Sequence, residues 1–317
     1  MTVTGDAVAT ELADAVPPAP DQTLSPVRAD ALSPVPADAL SSVRADALSP
    51  VPADALSSVR ADAPSPIRAD APSPVPADAP SPVLADAVWP AVPSGGLVLV
   101  PVGSTEQHGP HLPLDTDTVV ARAVARRAAD ALATGPYGPP LVAPAVAFGA
   151  SGEHAGFPGT VSIGHEALRA VVVELTRSLA LWAGRIVFVN GHGGNTATLD
   201  GALALLRSEG HDAAWTACEV PGGDAHAGRT ETSLLLHLEP GRVHLDAAVA
   251  GDTRPLPVLL PELMARGVRA VSASGVLGDP AGATAEEGGR AMAALVSGTV
   301  RRITAWTPDA RGRLTGR

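Results

Sequence analysis

Short apolar runs alternate with amphipathic stretches through residues 97–305 of the chain. Within residues 167–183, Leu168, Val172 and Leu179 recur at the three- to four-residue spacing of an amphipathic helix. Continuous apolar runs of four to eight residues are typical of strands that are buried on both faces. This alternation predicts an α/β fold, a three-layer α/β/α sandwich with a mainly parallel sheet. Predicted strands are residues 97–102, a segment within 140–148, 185–190, 213–220 and 270–274, and predicted helices are 118–133, 167–183, 196–208, 230–238 and 285–305.

The first 90 residues show no such alternation. A unit of eight residues, rich in Ala, Pro, Ser and Asp, repeats eight times over residues 25–88. The repeats hold too few large apolar residues for a core, and their prolines remove backbone donors and disfavour helix. We therefore predict a disordered tail over residues 1–90, with helical Ala-Asp tracts between the prolines as the alternative. One folded domain over residues 91–310 and a C-terminal tail over residues 311–317 complete the predicted organisation.

The acidity of the chain belongs mainly to the predicted N-terminal tail. Residues 1–90 carry 12 acidic residues and 4 arginines, so they account for −8 of the net charge of −11. This distribution argues against nonspecific nucleic-acid binding. The single cysteine, Cys218, excludes an intrachain disulfide and a cysteine-based zinc site and fits a reducing cytoplasm. We see no signal peptide and no apolar run of the roughly 18 residues that a membrane helix needs, so we expect a cytoplasmic protein without a membrane partner.

Histidines and carboxylates cluster directly after three of the predicted strands, where open α/β sheets form their ligand crevice. The members of this set are Glu106, His108, Asp117, His192 and Glu231. Imidazole and carboxylate ligands suit borderline-hard divalent cations. Five such ligands suit two cations about 3.5–4 Å apart, which together activate water and polarise a carbonyl group. Asp117 is the candidate bridge, with one oxygen for each cation.

Each of these residues also has an explanation that involves no metal. Asp117 precedes a predicted helix and is a candidate N-cap, and Glu231, in a first helical turn, favours the helix dipole. His192 in a glycine-rich turn is a candidate partner for the backbone, and Glu106 alone is a loop charge. Their conjunction at strand ends favours the metal site. His226, five residues before Glu231, is the candidate proton-transfer group.

Four further residues are assigned to substrate binding or to support behind the ligands. His111 lies close to the ligands in sequence and is a candidate hydrogen-bond partner for them. Glu153 and His154 occupy a glycine-rich segment that is a candidate lining of the substrate pocket, and Asn195 closes the motif that contains His192.

Two motifs resemble those of the creatininase family of metal-dependent amidohydrolases, over roughly residues 95–307. They are Gly-Ser-Thr-Glu-Gln-His-Gly-Pro-His-Leu-Pro-Leu-Asp-Thr-Asp at 103–117 and Asn-Gly-His-Gly-Gly-Asn at 190–195. The resemblance implies a creatininase-like fold with metal ligands at Glu106, His108, Asp117 and His192, the aspartate bridging. It also implies two divalent metal ions, zinc and iron(II), and a homo-oligomer.

The chain departs from the creatininase pattern at one position. Members that hydrolyse creatinine carry a glutamate where this chain has Gly194, so the resemblance disfavours creatinine as the substrate. Relatives with a His-Ala-Gly-x-x-Glu-Thr-Ser motif use its glutamate, which corresponds to Glu231. The resemblance therefore implies that the carboxylate ligand missing at Gly194 is supplied by Glu231, from another loop.

Further stretches narrow the resemblance to a peptidase branch of this family. They are residues 148–154, 221–228, 255–261 and 275–280. Enzymes of this branch hydrolyse the amide bond before a radical-modified C-terminal Val-Tyr pair of a ribosomally made precursor peptide, in redox-cofactor biosynthesis. The resemblance thus implies the modified precursor peptide as substrate.

Other functions compete with this interpretation. A family member that acts on a small cyclic amide or formamide, such as a pyrimidine intermediate, would need a basic residue for phosphate, and Arg229 is available. A metal-binding scaffold without turnover is disfavoured by the complete set of candidate ligands. A serine hydrolase lacks its Gly-x-Ser-x-Gly elbow, and a dinucleotide-binding domain lacks its Gly-x-Gly-x-x-Gly loop.

Overall fold

The computed structural model describes residues 83–315, and at their centre lies a four-stranded parallel sheet. The strands are β1 (Leu97–Val102), β2 (Leu141–Val142), β3 (Arg185–Asn190) and β4 (Ala213–Ala217), in the spatial order β2-β1-β3-β4. Val102 of β1 lies opposite Asn190 of β3, which in turn lies opposite Ala217 of β4. These three strands therefore end at one level, and the loops that follow them leave the sheet side by side.

Helices cover both faces of this sheet. The layer of α1 (Thr116–Leu132), α4 (Arg229–Leu238) and α7 (Ala285–Ala305) packs on one face, and α2 (Gly164–Leu179) and α3 (Thr196–Ser208) pack on the other. Helix α5 (Leu256–Arg266) and the single turn α6 (Val268–Val271) form a smaller cluster with Phe157, Ala225 and Leu277, in loops near the sheet edge.

Successive side chains of β1 enter two different cores. Leu97 and Leu99 pack with the layer of α1, α4 and α7, whereas Val98 and Val100 pack with α2 and α3. All four side chains are buried, and burying each one contributes roughly 1.5–3 kcal/mol. Because both faces of the strand are covered, its sequence is apolar throughout instead of alternating with polar residues. The predicted α/β/α sandwich with a parallel sheet is confirmed.

Helix α7 has the same bounds as the predicted helix 285–305, and its ends follow from local sequence. The Thr284 hydroxyl accepts a hydrogen bond from the backbone N–H of Glu287 at 3.1 Å, which satisfies one unpaired donor of the first turn. At the other end Trp306 adopts a left-handed conformation with φ of 47° and stops the helix.

Two elements differ from the prediction. The predicted strand 270–274 is wrong, because residues up to Val271 form the helical turn α6. The pattern does not predict α5, because Pro257 and Pro261 argue against a helix there. Pro257 occupies the first turn, where no backbone N–H is required, and the helix continues through Pro261 with the loss of one donor.

The folded domain extends beyond both predicted boundaries, 91 and 310. Val83 forms a parallel bridge with Val142 of β2. At the other end, the backbone N–H of Leu314 donates to the carbonyl of Trp215 in β4 at 2.8 Å, and the Leu314 side chain is buried. Residues on both sides of the predicted domain therefore belong to its sheet and core.

The predicted disordered tail, with its repeats, lies outside the described residues up to residue 82, and so do residues 316–317. Among the helices between residues 83 and 315, none is long and apolar enough to cross a membrane.

Candidate metal centre

The loops after β1 and β3 and the first turns of α1 and α4 meet at the carboxyl edge of the sheet. They bring together all five predicted metal ligands, Glu106, His108, Asp117, His192 and Glu231. The side chain of Glu231 is 24% exposed, and the other four ligands are buried. Because buried charges are costly unless they are paired, this set of three carboxylates requires positive charge beside it.

Two glycines let these loops approach α1 closely. A Cβ atom on Gly103 would lie 2.5 Å from the backbone nitrogen of Thr118, and a Cβ atom on Gly191 would collide with the carbonyl oxygen of Asp117. Neither glycine has a positive φ, so the reason for glycine here is space and not conformation. The short distance between Asp117 and the loops after β1 and β3 depends on these two positions.

Asp117 lies between two imidazoles and presents one oxygen to each. Its Oδ1 is 3.2 Å from Nε2 of His108, and its Oδ2 is 3.2 Å from Nδ1 of His192. The Ser104 hydroxyl also donates to Oδ2 at 2.7 Å. Helix α1 begins at Thr116, and Asp117 makes no capping hydrogen bond, so the N-cap explanation does not apply.

Glu106 is the most deeply buried carboxylate of the set. Its Oε1 is 3.2 Å from Nδ1 of His192, 3.4 Å from Nε2 of His154 and 4.0 Å from Nδ1 of His226. Within residues 83–315, neither oxygen of Glu106 has a hydrogen-bond donor with good geometry. Buried carboxylates without donors are rare and costly, so a bound cation is the partner that this group fits.

Three of the histidines are held in the same way. One ring nitrogen of each faces a backbone carbonyl, and since a carbonyl only accepts, that nitrogen carries the hydrogen. The pairs are His108 Nδ1 with Glu106 O at 3.0 Å, His192 Nε2 with Ala150 O at 3.2 Å, and His226 Nε2 with Gln107 O at 2.8 Å. The other nitrogen of each neutral ring then presents its lone pair to the carboxylates. Metal-binding histidines in proteins are oriented in this way.

Without bound metal, protonated histidines balance the negative charge of the two innermost carboxylates, those of Glu106 and Asp117. Burial raises the pKa of Glu106, but His192 outweighs this effect and lowers it to about 2. Burial likewise raises the pKa of Asp117, yet His108 holds it well below its usual range. Burial lowers the pKa of His108, but Asp117 raises it to about 10, and Glu106 raises that of His192 against burial. The cluster thus accommodates two positive charges, which bound metals supply when the imidazoles are neutral.

Glu231 enters the cluster from α4. Its Oε2 accepts a hydrogen bond from the backbone N–H of Ala227 at 2.6 Å and lies 4.0 Å from Nε2 of His108. Burial of the carboxyl raises its pKa to about 7, an effect that His108 only partly offsets. Ala227 has a φ of 51°, which is unusual for a residue with a Cβ atom, and such strain is concentrated at functional sites.

His226, the predicted proton-transfer group, also lies in the cluster. The centre of its ring is 4.3 Å from that of His108. A ring nitrogen of His108, a ring nitrogen of His226 and a carboxylate oxygen of Glu231 lie within 4.8 Å of one another. Burial and then the charge of His108 lower the pKa of His226 well below its usual range. A neutral ring with its Nδ1 lone pair directed inwards accepts a proton or a metal, and its Nδ1 carries no proton to donate at the outset.

Three of the four supporting residues lie around the cluster, each with different surroundings. His111 shares a hydrogen bond of 2.9 Å with the Thr232 hydroxyl, next to Glu231. Asn195 joins two loops, since it accepts from Ala150 N and donates to Gly103 O, both at 2.9 Å. Glu153 is 32% exposed, with Oε1 3.6 Å from Nε2 of His192, and burial raises its pKa.

Sequence reasoning missed two members of the cluster's surroundings and underrated a third. Ser104 and Gln107 lie within the first motif but have no charge that would mark them. His154 was assigned to the substrate pocket, yet its ring contacts Glu106 and lies 4.5 Å from the ring of His226. Only the fold brings His154 there, because it belongs to a separate loop.

A pocket of about 560 Å³ lies beside the same loops but is lined by neither His226 nor Glu231. Its wall includes Arg229, whose guanidinium binds the carboxylate of Glu287 at 2.8 to 3.0 Å. The basic residue that a phosphate-bearing substrate would need is therefore already paired.

Comparison with known proteins assigns this arrangement to a family. The profile of the family Creatininase, described as "Creatinine amidohydrolase", matches residues 85–303. The chain belongs to the creatininase family. The resemblance expected from the two motifs is confirmed, and the chain is accordingly an enzyme that hydrolyses C–N bonds.

Individual members of the creatininase family are similar over most of the domain. The "Mycofactocin precursor peptide peptidase" of Mycolicibacterium smegmatis is 58% identical over 219 residues, which cover 69% of this chain and 89% of that protein. The solved structure "Creatininase Mn" is 28% identical, with a TM-score of 0.58, over 72% of this chain and 100% of that chain. A mutant creatininase of the Zn-Zn type is also 28% identical, with a TM-score of 0.55, over 68% and 92%. The metals in these names agree with the donor set of the cluster.

Proposed function

We propose that this creatininase-family enzyme is a two-metal peptidase that releases the radical-modified C-terminal Val-Tyr unit from the mycofactocin precursor peptide. The observation that carries the proposal is the set of three inward-facing imidazoles around two buried carboxylates, of which Glu106 has no donor of its own. The substrate is inferred from the name of the 58% identical relative.

The distances suggest how the ligands divide between two cations. Glu106 and His192 face one position, and His108 and Glu231 face the other. Asp117 belongs to both, with one oxygen toward each histidine. Zinc and iron(II) are the metals we propose, as the family resemblance implies, and the imidazole and carboxylate donors suit both.

When bound, the metals would supply a nucleophile at neutral pH and polarise the amide carbonyl. His226 then acts through Nδ1, the nitrogen that has a free lone pair while Nε2 is held by the carbonyl of Gln107. It accepts the proton that water loses on adding to the carbonyl carbon, and it returns that proton to the leaving amine as the C–N bond breaks. His226 therefore acts first as a base and then as an acid, because its ring starts neutral.

A small cyclic amide or formamide remains the alternative substrate. Two observations favour the peptide. The charge of Arg229 is already balanced by the carboxylate of Glu287, which a phosphate group would have to displace. Gly194, where the family resemblance places a glutamate in creatinine-hydrolysing members, leaves the cluster without that carboxylate.

The test uses the full chain loaded with zinc and iron(II) and incubated with radical-modified precursor peptide, unmodified precursor or creatinine. We expect mass spectrometry to show loss of the Val-Tyr-derived fragment from the modified peptide alone. Asp117→Asn, which weakens the shared ligand while keeping its shape, is the control and should be inactive. An intact modified peptide beside two bound metals would refute the peptidase, and ring opening of creatinine would favour the alternative.

A homo-oligomer and a cytoplasmic location are further parts of the proposal. Light scattering on the purified chain tests the first, and fractionation of the producing cells tests the second.

A further inference from the structure

Gln107 stands in the sequence between the predicted ligands Glu106 and His108. Its side-chain amide contacts two histidines of the cluster. It is buried, and the orientation of its amide follows from backbone groups alone. The N–H of Gly109 donates to its Oε1 at 2.9 Å, and its Nε2 donates to the carbonyl of Gly275 at 3.1 Å. Since a backbone N–H only donates and a carbonyl only accepts, oxygen and nitrogen of the amide cannot be exchanged.

The Nε2 of Gln107 has two hydrogens and three neighbours. One hydrogen goes to Gly275, which leaves His154 Nδ1 at 2.8 Å and His226 Nε2 at 3.1 Å. The Nε2 of His226 already carries a hydrogen, which it donates to the Gln107 carbonyl at 2.8 Å. It therefore has no lone pair to offer, and the second amide hydrogen goes to His154 Nδ1.

This count determines the state of His154. Its Nδ1 accepts, so the hydrogen of the neutral ring is on Nε2, and Nε2 lies 3.4 Å from Oε1 of Glu106. By distance alone Glu106, His154 and His226 could hold a metal ion. A ring nitrogen that carries hydrogen does not bind a metal.

We propose that Gln107 is a positioning residue that keeps His154 out of the metal coordination and turns its Nε2 hydrogen towards Glu106. This inference rests on the proposed metal-dependent function and refines the roles within it. The Nε2 of His154, with its hydrogen, then faces Oε1 of Glu106 at 3.4 Å, the oxygen that also faces His192. His226, the remaining histidine beside Gln107, keeps its inward lone pair.

A glycine 168 positions further along the chain explains why the amide fits. Gly275 has a φ of 83°, and a Cβ atom there would collide with the Gln107 side chain. Any other residue at this position would be strained and would displace the amide.

The tautomer of His154 is measurable without substrate. In zinc-loaded protein labelled with ¹⁵N-histidine, the ring nitrogens of His154 are assigned by their loss in His154→Phe. We expect the hydrogen on Nε2 and a hydrogen-bonded lone pair on Nδ1. A hydrogen on Nδ1, or an Nε2 shifted by bound zinc, would overturn the proposal even if the protein cleaves peptide.

Substitutions test the role of Gln107 separately. Gln107→Glu removes the donor with little change of shape and should move the hydrogen of His154 to Nδ1. Gln107→Met removes all three side-chain hydrogen bonds, with Gly109, Gly275 and His154, and should weaken zinc binding about 10- to 100-fold, as losses behind a metal ligand do. Combining it with His154→Phe should cost no more than the more severe single change, because both act through one bond.

Wild-type zinc affinity in Gln107→Met, or additive losses in the double variant, would refute the role of Gln107. Gln22→Glu, the same substitution at the chain's other glutamine, controls for the added charge. A wild-type chain that binds no zinc would refute the proposed function instead, while the His154 tautomer in that sample still decides the present inference.

Discussion

Gly191 and Gly193 lie on either side of His192, and the same substitution at each should have opposite effects. A Cβ atom on Gly191 would collide with the carbonyl oxygen of Asp117 and lie 3.3 Å from the Cβ of Ala121. At Gly193, no atom of the described residues other than its two chain neighbours lies within 4 Å of such a Cβ. Gly191→Ala therefore forces the loop after β3 away from α1, whereas Gly193→Ala requires no movement.

The loss of stability in Gly191→Ala follows from the steric clash between the added Cβ atom and the backbone of Asp117. Overpacking of this kind costs about 1–3 kcal/mol, which corresponds to a fall in Tm of roughly 2–12 °C for a domain of this size. If the loop relieves the strain by moving His192 away from Asp117, metal affinity falls by up to the same free energy, about 5- to 150-fold. Gly193→Ala should leave Tm unchanged or raise it slightly, because alanine restricts the unfolded chain.

Calorimetry of the metal-free variants in chelator measures the first effect, and zinc titration measures the second. Equal Tm values for the two variants would show that the close approach of Gly191 to Asp117 does not constrain the site. A lowered Tm with unchanged zinc affinity would show that the strain is relieved elsewhere than at His192.

Three further outcomes are expected. At pH 8, zinc binding should release roughly two protons, because His108, with a pKa of about 10, and His192 are protonated without metal and neutral with it; affinity should therefore rise with pH. Titration calorimetry in buffers of different ionisation enthalpy measures this number, and a value near zero would contradict it. Asp117→Asn should retain less than one metal per chain by elemental analysis; two would exclude a bridging role. Thr284→Ala should lower Tm by about 2–4 °C through loss of the α7 cap, with metal content unchanged.

The fold class was predictable because periodicity is a local property. The apolar runs that form β1 and β3 have the bounds of the predicted strands, and the stripe of Leu168, Val172 and Leu179 is buried as expected. Prediction failed where local signals conflict with packing. The prolines of α5 are tolerated because Leu259 and Leu263 are buried against loops that no local pattern reveals.

For the site, the sequence alone determined which metal-binding side chains are available and which class of cation they suit. Glu106 and His108, two residues apart, directly follow a strand, and the chemistry of imidazole with carboxylate indicates divalent metals. The tertiary structure alone decided the states of the other three rings, because their hydrogen-bond partners are distant in sequence. His192 meets Ala150 across 42 positions, and His154 and His226 meet Gln107 across 47 and 119. Hydrogen-bond partners of a side chain depend on which loops the folded sheet brings together, and that information is not local.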